Sequence, residues 1–283
     1  LPSRCEVFRV SEAKVSHTLG NALVQAQVRA NPFTCAALEN ASCAFSEVLR
    51  ENVSVARETG MPLCQDTGMV VFFVERGSQL QLEFSLYDVL QRVVKEVYAH
   101  NPFRFSTVAD PLFARENSGD NLPAVVHERV LNGTELSIHF LIKGGGSENL
   151  SKLWMMHPGD GEQGLVDAVK QHLYQVGAAG CPPLHVGIGV GGTAEDAMEM
   201  SKRALLLDPS QTNPDPRYAA LEKRLEREIE QLHLGVQGLG SGPSCLGVHV
   251  LQAPTHIATL PVGLSADCFL LRKGSVQFRG ERA

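Results

Sequence analysis

Met61-Pro62-Leu63-Cys64-Gln65-Asp66-Thr67-Gly68 sets a thiol, an amide, a carboxylate and a hydroxyl on four successive positions between a proline and a glycine. Proline and glycine place this cluster in a turn. The run that follows, Met69-Val70-Val71-Phe72-Phe73-Val74-Glu75, is apolar, β-branched and aromatic, and predicts a buried strand. A turn at a strand's start lets side chains converge on a ligand. Unprotected backbone N–H groups stabilise a thiolate, so Cys64 is a candidate metal ligand. The octapeptide alone fits equally well a loop in which Gln65 and Asp66 only tie down backbone amides.

Two more cysteines have similar settings: Cys181 beside Pro182-Pro183, and Cys268 at the end of a small-residue strand, with Arg272 close behind. Scattered single cysteines without C-x-x-C pairs disfavour a zinc ribbon. Three thiolates suit an iron–sulfur cluster with one open iron, a Lewis acid for a substrate oxygen; spacing alone does not decide it. Gly144-Gly145-Gly146 can bring backbone N–H donors against an anion. A flexible turn is the alternative, at a cost in entropy. Arg104, between Phe103 and Phe105, is either a charge on an apolar anchor or a surface side chain lying over the two rings. Gly187-x-Gly189-x-x-Gly192 matches a dinucleotide fingerprint. That motif needs a second strand ending in an acid, and the span from Met198 to Leu207 reads as helix instead. A dinucleotide-binding oxidoreductase is therefore a remote alternative.

The elements that must position these residues follow from periodicity. Helices are predicted at 11–30 and 34–59, the second with an apolar stripe of Ala41, Phe45, Val48, Leu49, Val53 and Ala56. Cys35 and Cys43 on that helix read as small packing residues. A third helix carries Leu86, Val89, Leu90, Val93, Val94 and Val97 and ends near Asn101-Pro102. The polar segment 101–124 is too long for a plain connection, and its Phe103, Phe105, Leu112 and Phe113 argue for order. Asn132-Gly133 between strands at 125–131 and 135–143 predicts a hairpin. Further on come a helix at 163–177, a strand at 184–190, and a helix opened by a Thr193/Asp196 capping box. The charged helix at 215–233 presents a solvated face, Glu222 to Glu228, and a strand follows at 245–251. There is no internal repeat. The class is α+β (mixed α/β): one domain over 1–283, with a helical part over roughly 1–60 packed on a mixed-sheet part over roughly 61–283.

The totals narrow the chemistry. At 283 residues, 43% hydrophobic and 20% charged, the chain has an ordinary globular composition. No apolar run reaches the about 18 residues of a membrane helix. A net charge of −6 argues against a nucleic-acid surface, and an anionic substrate must find local positive charge. Seven scattered cysteines and the lack of an apolar leader at Leu1-Pro2-Ser3-Arg4 suit a reducing, cytoplasmic compartment, with the natural start upstream or trimmed.

Six blocks together carry a resemblance. Pro62-Leu-Cys-Gln-Asp-Thr-Gly68, Arg115-x-Asn-Ser-Gly-Asp-Asn121, Lys143-Gly-Gly-Gly-Ser-Glu-Asn149, Cys181-Pro-Pro183, Gly187-Ile-Gly-Val-Gly-Gly192 and His256-x-Ala-x-x-Pro-Val262 with Cys268 resemble the signatures of class I fumarate hydratases and the related L-tartrate dehydratases. They run in order over nearly the whole chain, which is similar to the α subunit, or N-terminal domain, of these enzymes. The resemblance implies an oxygen-sensitive 4Fe–4S cluster on Cys64, Cys181 and Cys268. It implies a dicarboxylate met by Gln65, Asp66, Arg104, Gly145 and His256, with Asp66 and His256 hydrogen-bonding the leaving hydroxyl. It also implies a β subunit that supplies the proton-abstracting base and further arginines, in a dimer of αβ pairs. The Gly187–Gly192 segment then becomes tight packing behind Cys181. The Lys143–Asn149 block favours (S)-malate/fumarate, a tricarboxylic acid cycle step, over L(+)-tartrate to oxaloacetate. Val236 stands where proline is usual, Cys245 is an extra thiol expected not to ligate, and 209–217 diverges. A noncatalytic metal-binding assembly protein, with His256 as a zinc ligand, is a further alternative.

Overall fold

A computed structural model describes residues 8–40 and 46–282. The helices are α1 Glu12–Val28, α2 Pro32–Asn40, α3 Ser46–Thr59, α4 Leu86–His100, α5 Gly145–Glu148, α6 Gly161–Val176, α7 Ala194–Ala204 and α8 Pro216–Glu230. The strands are β1 Phe8–Arg9, β2 Met69–Gly77, β3 Leu80–Gln81, β4 Val125–Leu131, β5 Glu135–Lys143, β6 Lys152–Met156, β7 Leu184–Gly192, β8 Cys245–Thr255, β9 Leu260–Asp267, β10 Lys273–Arg279 and β11 Glu281–Arg282. The class is α+β, as expected. The chain divides into two compact units: the first holds the N-terminal residues through Arg29, Val55–Lys143 and Arg272 onward, and the second holds Ala30–Ser54 and Gly144–Leu271.

In the first unit a four-stranded sheet has the order β10-β5-β2-β4, with β2 antiparallel to β5 and parallel to β4. The apolar run of β2 earns it this central slot, since Val70 to Val74 are at most 3% exposed. β1, β3 and β11 form a small accessory sheet. Helices α1 and α4 lay Val15, Leu19 and Leu23, and Leu90 and Val94, over Phe72, Ile138 and Phe140. Ser85 caps α4 by accepting the Asp88 N–H.

The predicted hairpin does not form. β4 and β5 flank Asn132-Gly133 as expected, but each pairs with β2, which lies between them. The turn instead crosses the end of β2: Gly133 O accepts the Gln79 N–H, and Leu131 O that of Ser78. A long-range partner with a fully apolar run outcompetes the local pairing signal. Two more expectations fail here. Val48, assigned to the apolar stripe, is 62% exposed; the described residues of the predicted helix 34–59 lie in α2 and α3, and Ala41, Cys43 and Phe45 fall outside the described residues. Phe103 is buried as expected, but Leu112 and Phe113 are 70% and 85% exposed. Their loop is ordered instead by Asp110, whose carboxylate accepts the N–H groups of Leu112, Phe113 and Ala114 and is held below the usual carboxylate range by those bonds.

The second unit repeats the wiring: its sheet has the order β6-β9-β7-β8, with β7 antiparallel to β9 and parallel to β8. Both β6 and β10 are absent from the sequence expectation. Leu184, Val186 and Ile188 face α6 and α8 through Leu165, Val169, Leu225 and Ile229. On the other face α7 lies directly on the sheet. A Cβ at Gly187 would fall 2.0 Å from Ser201 O, and one at Gly189 2.1 Å from Ala197 O. The fingerprint glycines are thus filled by helix backbone, and the Thr193/Asp196 capping box closes the N-terminus of α7 on itself.

Helix α8 corrects another expectation. Glu222 is 4% exposed and accepts the N–H groups of Val250 (2.8 Å) and Asn213 (3.1 Å). Glu226 accepts Val248 N–H, and Glu230 accepts those of Ser244 and Cys245. Three glutamates at helical spacing therefore satisfy the amides of β8, the edge strand of the sheet.

Candidate active site

In the first unit the Leu63–Gly68 turn is held from beneath by groups that are polar and buried. Gln27, on α1, is wholly buried and donates from Nε2 to Thr67 O (2.7 Å) and to the Tyr98 hydroxyl (2.9 Å). Its Oε1 accepts from Arg272 Nη1 (2.8 Å), so the amide can face only one way. Tyr98 O–H donates to Thr67 O at 2.6 Å, and Asn121 Nδ2 donates to Gly68 O at 3.1 Å. Burial pushes the Tyr98 phenol well above its usual range, with Arg272 and Gln27 opposing, so the donor stays protonated. Gln27 O also accepts the Leu63 N–H. Sequence reasoning missed Gln27 and Tyr98, because a lone amide or phenol on a helix carries no periodic signal.

On this support stand Cys64, half-buried, and Gln65, exposed. Asp66 Oδ1 accepts the Gly68 N–H (2.9 Å) and the Ser106 hydroxyl (3.3 Å). The Arg104 segment runs alongside, with Arg104 O accepting the Thr67 hydroxyl at 2.5 Å. Asn121 Oδ1 takes the Ser106 N–H and Asn117 Nδ2 donates to Phe105 O, so the Arg115–Asn121 block scaffolds the strip that carries Arg104. Arg104 itself is exposed, leaving its guanidinium for solvent or an anion.

In the second unit one end of the sheet collects three more expected residues. His185 at the start of β7 pairs with Asp267 at the end of β9, so Cys181 and Cys268 flank the same sheet end. Asp267 Oδ1 accepts the Cys268 N–H (2.8 Å) and the Ser147 hydroxyl (3.0 Å), which brings the Gly144–Gly146 turn alongside. Gly145 is exposed there, and a Cβ on Gly146 would lie 3.2 Å from Ala179 O. Cys181 is exposed, in no disulfide, and on a left-handed backbone (φ 55°), with Pro182 O accepting the Gln237 N–H at 2.7 Å. Cys64, Cys181 and Cys268 are in no disulfide, and a thiolate is the donor type that an iron–sulfur cluster takes. Among the described residues no three His, Cys, Asp or Glu side chains gather around one point as ligands of a single metal ion would. Cys245 differs, for burial pushes its thiol up to about 12, which suits an inert packing residue.

His256 is placed elsewhere. It follows β8 in an exposed turn at the end where β7 finishes, Thr255 donating its hydroxyl to Gly192 O (2.9 Å). His256 Nδ1 accepts the Ala258 N–H (3.2 Å), so the neutral ring carries its proton on Nε2, as an outward donor. The turn borders a cleft of about 540 Å³ with Met155, Thr193, Asp196 and Thr259.

A family model described as fumarate hydratase (fumerase) matches residues 13–277. The α subunit of L(+)-tartrate dehydratase from Escherichia coli (strain UTI89 / UPEC) is 31% identical over 233 residues, 82% of this chain and 77% of that relative. A putative L(+)-tartrate dehydratase α subunit from Methanocaldococcus jannaschii is 36% identical over 229 residues, 79% of this chain and 80% of its own length. The family match and the relatives define a hydro-lyase. The chain belongs to the fumarate hydratase family, in its class I branch together with the tartrate dehydratase α subunits. Among the described residues no helix is long and apolar enough to cross a membrane.

Proposed function

We propose that this chain is the α subunit of an iron–sulfur hydro-lyase that reversibly dehydrates (S)-malate to fumarate. The observation that supports it most is the gathering of Cys181, Cys268 and the Gly144–Gly146 turn at one sheet end, through Asp267. Cys64, Cys181 and Cys268 would hold the 4Fe–4S cluster, which when bound supplies an open, Lewis-acidic iron. Arg104 pairs a substrate carboxylate, the Gly145 N–H meets an oxyanion, and Gln65 donates its amide. Asp66, its carboxylate pinned by Gly68 N–H and Ser106, accepts the hydrogen bond of the substrate hydroxyl, and His256 Nε2–H is the donor in this reading. The C3 proton goes to a base on a partner subunit; the "subunit alpha" in the relatives' names favours such a partner.

The Lys143-Gly-Gly-Gly-Ser-Glu-Asn149 block favours malate, and Ser147 within it is the residue bonded to Asp267. A second reading, L(+)-tartrate as substrate, is favoured by the names of the relatives. The test is anaerobic reconstitution of the full chain with its partner subunit. About four iron and four sulfide per chain are expected, lost in Cys64→Ser, with kcat/KM for malate at least about tenfold above that for tartrate. The reverse ratio would select tartrate. Zinc without sulfide would overturn the lyase reading.

A further inference from the structure

Beneath the Cys64 turn the first unit buries a positive charge. Arg272 is only 4% exposed, and its backbone is fixed just ahead of β10, where Arg272 O accepts the Ile142 N–H at 2.8 Å. A guanidinium carries five N–H donors. Among the described residues Gln27 Oε1 is the one side-chain acceptor that Arg272 meets (2.8 Å), and no carboxylate lies within ion-pair distance of it. Other arginines of this unit, nearer the solvent, do have such partners: Arg76 pairs with Glu128, and Arg92 with Glu12. The arrangement is the reverse of what solvation favours, since a charge taken out of water is costly unless an opposite charge faces it.

The ionisable neighbours of Arg272 do not supply that opposite charge. The Tyr98 phenol, close enough to feel the guanidinium, is kept protonated by burial. Asp66 spends Oδ1 on the Gly68 N–H and the Ser106 hydroxyl. What remains is the turn itself. Gln27 accepts the Leu63 N–H at its backbone O and donates from Nε2 to Thr67 O. One residue thus holds both ends of the segment that carries Cys64, and Arg272 stands directly behind that residue. At such short range, with little water between, the field of the guanidinium reaches the turn weakly screened.

We propose that Arg272 is the buried counter-cation of the iron–sulfur cluster that Cys64 helps to hold, its positive charge brought up beneath the Cys64 turn through Gln27. Thiolates and sulfides make such a cluster a negative body, and added electrons deepen that charge. A fixed cation close by therefore favours the reduced form and raises the reduction potential. Arg272 touches no substrate in this arrangement; it sets the electrostatics of the group that does. The proposal rests on the cluster in the lyase reading.

The test is a potential and not a rate. The full chain, assembled with its partner subunit and reconstituted without oxygen, is reduced stepwise with dithionite while the reduced cluster is followed by electron paramagnetic resonance. Arg272→Gln keeps a donor for Gln27 Oε1 and removes the charge. It should load iron and sulfide fully and shift the reduction equilibrium about tenfold toward the oxidised form, about 59 mV for one electron. Arg272→Lys, which keeps the charge, should stay at the wild-type potential. Where Arg272→Gln fails to load, Arg272→Lys decides: full loading at the wild-type potential supports the charge, and a second failure overturns it in favour of a strut that only the planar guanidinium can form. A wild-type potential in Arg272→Gln overturns the proposal, and a raised KM for malate beside it would assign the cation to a substrate carboxylate. Equal falls in both variants also overturn it, because geometry then matters and charge does not. A wild type that takes up no iron and sulfide would sink the cluster reading itself, an outcome seen before either variant is made.

Discussion

At the scale of residues, the turn with Cys64, Gln65 and Asp66 draws its geometry from buried side chains beneath it. Gln27 and Tyr98 spend every donor they have on Thr67 O and on each other, and Arg272 fixes which way the Gln27 amide points. Tyr98 makes this support measurable through pH. Its phenol is neutral in the fold and its pKa is raised, so its contribution is complete below the unfolded value of about 10 and is lost as pH climbs above it. Urea unfolding at pH 8 and pH 11 should show wild type losing stability across that interval by up to about 1.4 kcal/mol per pH unit. Tyr98→Phe should lack this component; an unchanged slope would contradict the buried neutral phenol. The candidate cysteines stand out in the sequence because a thiol between turn residues is conspicuous. Gln27 was not, because only tertiary contact distinguishes a buried amide from a solvated one.

At the scale of elements, α7 and the strands beneath it form the tightest contact in the second unit. Gly189→Ala sets a methyl 2.1 Å from Ala197 O, against backbone that cannot step aside, and should cost about 3 kcal/mol by thermal unfolding. Gly20→Ala, inside α1, meets only Val93 and Val97 methyls at 3.7 Å and beyond, and should gain about 0.5–1 kcal/mol. Opposite signs from one substitution type separate close approach from mere helix propensity. Long periodic elements, α1, α4, α6 and β2, were readable because one face of each is apolar. Elements failed to read where a distant partner decided the outcome. The Asn132-Gly133 turn looked like a hairpin until β2 took the place between its strands, and the α8 glutamates looked solvated until β8 presented amides to them.

At the scale of the molecule, two units carry one wiring, a central strand antiparallel to one neighbour and parallel to the other, with no sequence repeat to announce it. In both, a candidate site cysteine lies just before the central strand: Cys64 ahead of β2, Cys181 ahead of β7. The loop entering the parallel neighbour steadies it, through Asn121 in one unit and Gln237 in the other. Pairing order survives where residue identity does not, because hydrogen bonds between strands ask little of side chains. Each unit has its own core, so Leu90→Ala in one and Leu225→Ala in the other should each cost about 2–5 kcal/mol in denaturant unfolding. The glutamate row on α8 has a consequence for the molecule in a crowded solution. A sheet grows by recruiting strands at a bare edge, and β8 would offer three such amides, at Cys245, Val248 and Val250, with that of Ser244 just ahead of it. Glu222, Glu226 and Glu230 act as an insulator along that edge. Truncation of these side chains, as in Glu→Ala, harmless on a solvated helix, would bare those amides as a template on which chains polymerise.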